Sequence, residues 1–205
     1  QKYYTEVLNL WNNSQQNSPQ GESLGKTFTE DNAIRNLLPF EGDKIYKYKP
    51  EFVHMVECSN FDEANEVEEA RLGILNAVNN NIFITFGDIY FGPSLFTNIK
   101  FDKSFLIVEK ENLMLDDDVG LTIIDDYVTI MSLALKRPKW CKLIFLTGKE
   151  LRLFKSFIFD RNNAKLYLFE AINFVLSRGG EFKVRWAAKA SNIVHVDSSK
   201  ELEKI

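Results

Sequence analysis

The sequence predicts an α/β domain built on a mostly parallel sheet, and three observations point that way. Short apolar runs of strand length recur without strict alternation, as strands covered on both faces do. Stretches with helical spacing of apolar residues fall between them, and alternation of the two gives layered α/β architecture. The 205 residues are 45% hydrophobic and 26% charged, enough for one core that buries about 70% of the unfolded surface.

Tyr3, Tyr4, Val7, Leu8 and Trp11 form one apolar stripe, so residues 1–11 read as an amphipathic helix that either docks on its own domain or anchors a partner. Asn12 to Ser23 carry no apolar side chain, and residues 12–30 read as a flexible polar linker of the kind found between modules of a larger protein. Residues 31–205 form the domain, with its core in 52–205. Phe52 to Val56 is expected to be the first central strand. Asp62 can cap a helix carrying Val67, Ala70, Ile74, Ala77 and Val78. Asn81 to Phe86 and Ser104 to Glu109 follow as strands, making a parallel unit with a right-handed crossover.

A second helix is expected over Ile123 to Leu135, closed by Arg137-Pro138, and a strand over Lys142 to Thr147 that ends at Gly148. Leu166, Phe169, Ile172 and Val175 mark another helix, stopped by Gly179-Gly180. Glu181 to Trp186 and Asn192 to Val196 read as strands. Ser198 with Glu201 is a capping box for a last helix.

With 25 basic and 29 acidic residues the net charge is −4, so no global field draws the chain to nucleic acid or to anionic lipid. No apolar run reaches the roughly 20 residues of a membrane span, and the expected setting is the cytoplasm. Two cysteines and two histidines suit neither a disulfide scaffold nor a zinc site. Cys58 closes one strand and Cys141 opens another. His54 and His195 lie inside strands, where a satisfied histidine is the ordinary case. No phosphate-binding glycine loop of the GxGxxG or GxxxxGK type is present. Asp116-Asp117-Asp118 and Asp125-Asp126 lack the alternation of an EF-hand and read as a solvated loop and helix N-terminal acids.

In open parallel sheets function sits at the carboxyl ends of strands. These ends carry Glu57-Cys58-Ser59-Asn60-Phe61, Gly120-Leu121-Thr122 and Leu146-Thr147-Gly148-Lys149. With Ile193 to Leu202 as a closing strand and helix, their order resembles the von Willebrand factor A-type family. That resemblance implies a Rossmann-like fold, a mostly parallel central sheet flanked by helices on both faces, and a degenerate metal site. Glu57, Ser59, Phe61, Thr122 and Gly148 stand where the family holds a divalent cation. A phenyl ring and a glycine in place of oxygen donors leave too few ligands for Mg²⁺, so no metal and no cofactor are expected.

The resemblance further implies a surface without catalytic groups: a non-catalytic scaffold or coactivator of yeast pheromone signalling that binds a MAP kinase kinase and promotes its phosphorylation of a MAP kinase. A full-length protein of that kind can be recruited to the plasma membrane or shuttle to the nucleus, with no nucleic-acid contact and no direct membrane contact by this segment. Loops on rigid scaffolds concentrate binding, which singles out Phe157, Phe159, Asp160, Arg161, Asn162 and Asn163. The same residues also read as a half-buried strand and a helix cap. Alternatives are an A-type module of a DNA-repair or vesicle-coat complex, or a phosphoinositide-binding β-sandwich of the pleckstrin-homology type.

Overall fold

The computed structural model describes residues 34–38, 53–57, 65–75, 77, 80–97, 99–110, 118–188 and 192–196. The amphipathic segment 1–11, the linker 12–30, Cys58 and the last helix from Ser198 lie outside these residues. The chain divides into two compact units, one of residues 1–80 with 154–171, the other of 81–153 with 172–205.

In the first unit β1 (Ile34–Leu38) and β2 (Val53–Glu57) run parallel, with Ile34 opposite Val53 and Leu38 opposite Glu57. Among the described residues they form a two-stranded sheet, in which the strand expected at Phe52 to Val56 has β1 as its neighbour. Helix α1 (Glu66–Ile74) starts at Asn65 rather than Asp62: the Asn65 Oδ1 accepts from the Glu66 backbone N–H at 2.8 Å. Glu66, Glu68 and Glu69 fill its first turn, where the helix dipole favours negative charge. Val67, Ala70 and Ile74 are buried at spacings of three and four, the stripe a helix packs with.

The second unit is built on a six-stranded sheet of order β3-β8-β5-β9-β7-β6. Its members are β3 (Asn81–Thr85), β5 (Phe105–Glu109), β6 (Gly120–Ile124), β7 (Tyr127–Ser132), β8 (Lys139–Thr147) and β9 (Lys183–Trp186). Only β5 and β9 pair parallel; β3–β8, β8–β5, β9–β7 and β7–β6 are antiparallel. The sheet is therefore mixed rather than mostly parallel. Phe105 to Val108 are each fully buried, as expected of a strand covered on both faces. Gly120 in β6 pairs with Lys139 at the start of β8. A methyl group there would collide with the Leu135 carbonyl, so glycine is what lets the backbone at Leu135 pass close to β6.

The second helix expected at Ile123 to Leu135 does not exist. Those residues form the β6–β7 hairpin, turned at Asp125 and Asp126, whose φ values of 50° and 66° put both in the left-handed region. That is the two-residue turn whose twist matches a hairpin. Leu151 to Ile158, expected as a loop or strand, belong to helix α2 (Gly148–Ile158), with Leu151, Phe154 and Ile158 on its buried face. Helix α3 (Leu168–Ser177) buries Leu168, Ala171, Ile172 and Val175. The Asn173 amide donates to the Met131 carbonyl at 2.8 Å and accepts from the Met131 N–H at 2.9 Å, bonding to β7 as a neighbouring strand does. Two short strands, β4 (Ile89–Tyr90) and β10 (Val194–His195), pair antiparallel beside an aromatic cluster that includes Phe91, Phe105 and Phe145. No helix among the described residues is long and apolar enough to cross a membrane.

Candidate functional site

Of the positions that the resemblance aligned with a metal turn, Glu57, Thr122 and Gly148 are among the described residues. Glu57 ends β2 in the first unit; Thr122 and Gly148 belong to the second; Ser59 and Phe61 lie outside the described residues. Thr122 is exposed in the middle of a hairpin strand, where its carbonyl accepts from the Thr129 hydroxyl at 3.1 Å, and it opens no helix. Gly148 begins α2 at φ +56°, a backbone state glycine adopts freely.

The turn after α2 is engaged within its own unit. Asp160 caps the single turn Arg161–Asn163, its carboxylate accepting from the Asn162 N–H at 3.0 Å. The Asn163 amide donates to the Phe157 carbonyl at 2.9 Å, and the Arg161 guanidinium donates to Glu68 at 2.9 Å. Phe157 is half-buried on α2 and Phe159 is exposed. Glu68 also receives Arg71 through Nε and Nη2, both at 2.6 Å. Hydrogen bonding from Arg71 is the chief reason its carboxyl is held below the ordinary range.

The chemistry-bearing cluster that sequence reasoning missed lies in the second unit. A cavity of about 260 Å³ is lined by Ile89, Trp140 and Ile193 with Asp118, Lys139 and Lys142, and also by Glu109, Cys141, Val194 and His195. Part of its lining, Lys139 to Lys142, comes from an irregular stretch of β8. Leu106 of β5 faces Ile144, yet Val108, two residues on, faces Trp140, four residues back. The excess chain bulges out around Cys141 to Leu143, and Lys142 takes φ 56°. Bulges re-aim side chains and gather beside sites, and a lysine held in the left-handed region costs energy that surrounding structure must offset.

Charges around the cavity are paired unequally. Asp118, at 3% exposure, meets Lys139 at 2.8 Å, so the acid read as a solvated loop residue is a buried ion pair. Asp125 and Asp126 make the hairpin turn and start no helix. His195 Nε2 donates to Asp88 Oδ2 at 2.5 Å, whereas Lys142 stands 3.8 Å from that same oxygen with its ammonium 5.4 Å from the centre of the Phe86 ring. Burial, with Glu109 adding to it, pushes the Cys141 thiol well up, so it is a packing residue rather than a nucleophile. The irregular register has no short motif in the sequence; a lysine between two apolar stretches of one strand was its visible trace.

No protein-family model and no curated protein matches the chain. Solved structures do. The CTP:phosphocholine cytidylyltransferase of Streptococcus pneumoniae is 16% identical, with a TM-score of 0.65 over 91% of this chain and 85% of its own. A nucleoside-diphosphate-sugar pyrophosphorylase of Vibrio cholerae reaches 0.66 at 12% identity, over 96% and 84%. The inositol-1-phosphate CTP transferase of T. maritima reaches 0.62 at 16%, over 82% and 71%. The fold is thus a mixed α/β fold like that of nucleotidyltransferases.

This likeness overturns the A-type resemblance and what it implied. The mixed sheet and its β6–β7 hairpin depart from a mostly parallel A-type sheet, and the matching folds are those of enzymes acting on nucleotide and sugar substrates. A non-enzymatic pheromone-pathway scaffold with a MAP kinase kinase and a MAP kinase as partners finds no support there, nor do the DNA-repair, vesicle-coat or phosphoinositide-binding alternatives.

Proposed function

We propose that the chain is a nucleotidyltransferase-type protein that binds a nucleoside triphosphate and passes its nucleotidyl group to a small phosphorylated acceptor. In such a transfer an acceptor phosphate oxygen attacks the α-phosphorus, its bond to the pyrophosphate oxygen breaks, and pyrophosphate leaves. One observation carries the reading: similarity to proteins named for this chemistry runs along 82–96% of the chain in the three cases above, through both units.

The direct test offers each of the four nucleoside triphosphates with Mg²⁺ and, in turn, phosphocholine, inositol 1-phosphate and glucose 1-phosphate, and follows pyrophosphate release. Release with one nucleotide–acceptor pair is the expected result. No release with any pair, together with no nucleotide-dependent rise in melting temperature at millimolar concentration, would overturn the proposal.

A further inference from the structure

We infer that the cavity beside the β8 bulge is a binding site for a phosphate oxyanion carried by a small molecule, with the Lys142 ammonium as its principal contact. The size fits: about 260 Å³ lies just under the roughly 300 Å³ at which drug-sized pockets begin. The other polar groups of the lining are already committed. Lys139 is taken by Asp118 at 2.8 Å, and Glu109 is itself engaged. Lys142 differs. Its carboxylate neighbour Asp88 gives Oδ2 to His195 at 2.5 Å and leaves the ammonium at 3.8 Å, beyond hydrogen-bond reach. An ammonium has three donors, and a phosphate oxygen would accept them in a charge-assisted bond. His195 is the positioning residue: its imidazole engages the competing Asp88 carboxylate, which stands 3.8 Å from the lysine. The left-handed backbone at Lys142, in a strand that elsewhere pairs regularly, is the strain expected where a side chain is aimed for use.

Binding at this site can be tested without nucleotidyl transfer. The probe is inorganic phosphate at constant ionic strength against chloride, read by isothermal titration and by melting temperature; a phosphate concentration ten times the dissociation constant should raise melting by about 4 °C. Further arms with glucose 1-phosphate and with a nucleoside triphosphate separate a monoester from a nucleotide as the source of the phosphate. Two variants carry opposite expectations. Lys142→Gly removes the ammonium while accepting φ 56° without strain, so it should fold at least as well as the wild type and lose the phosphate response. Asp88→Asn removes the competing charge and should tighten phosphate binding severalfold, an effect that a merely structural Asp88 would not produce. No heat and no melting shift with phosphate in the wild type, a full response in Lys142→Gly, or weaker binding in Asp88→Asn would each overturn the inference. Phosphate binding with these variant effects but without pyrophosphate release in the transfer assay would sustain the site and refute the transfer reaction instead.

Discussion

Glu68 is a carboxylate withdrawn from water, 2% exposed, and held by two guanidinium groups. Arg71 is the stronger partner, its side chain 9% exposed against 71% for Arg161, because an exposed cation is screened and gains little from pairing. Removing the acid strands the Arg71 charge, so Glu68→Ala should cost about 3 kcal/mol in urea unfolding. The pH dependence has a definite sign. Since the folded carboxyl titrates below its ordinary value, its contribution is complete above the unfolded pKa of about 4.3 and is lost as pH falls through the lower folded value. Urea midpoints measured from pH 7 to pH 3 should therefore drop more steeply for wild type than for Glu68→Gln. Parallel acid limbs would show that the pair does not carry the effect.

At the scale of the element, the β6–β7 hairpin rests on two aspartates in the left-handed region, which glycine enters freely and aspartate at a smaller cost than most residues. Asp126→Gly keeps the backbone bond from Val184 N–H to the residue 126 carbonyl at 2.8 Å and relieves the strain. It should raise stability by about 0.5–1 kcal/mol, read as a higher urea midpoint with an unchanged slope. A lower midpoint would mean that the aspartate side chain does something glycine cannot.

The same hairpin explains where the sequence misled. Ile124, Tyr127, Val128, Met131 and Leu135 match a helical spacing, because two strands joined by a two-residue turn can place apolar residues three and four apart. The better signal was composition: Thr122, Ile123, Ile124, Val128, Thr129 and Ile130 are β-branched, stiff side chains that favour pleated sheet. Conversely, Leu151, Phe154 and Ile158 carried the helical period of α2, masked by the aromatic richness around them. The runs at β3, β5 and β8 were legible as strands because each is a buried apolar segment, but an apolar run does not encode the direction of its neighbour. The cavity was not legible, since a bulge depends on register between strands far apart in sequence.

For the whole molecule, burial gives Cys141 a reporting role. Its thiol is 2% exposed and its pKa is raised, so thiolate, the reactive form, is scarce in the native state. In a Cys58→Ser background a bulky disulfide reagent should label Cys141 only as fast as the sheet opens, with the rate rising in step with unfolding in urea. Prompt labelling of the native protein would place the thiol at the surface.

The position of β8 in the sheet carries a further consequence, for the order of events during synthesis. β3 and β5 both pair with β8, yet residue 85 leaves the ribosome 54 residues before Lys139 and Glu109 leaves it 30 before, counting from the element bounds. At roughly 5–20 residues per second, these apolar strands wait seconds with open edges, and β5 waits longer still for β9. Nascent chains in that interval are the aggregation-prone species of this fold. Asp102 and Lys103 before β5, with Glu109 and Lys110 at its end, are placed where flanking charges discourage one waiting strand from pairing with another chain.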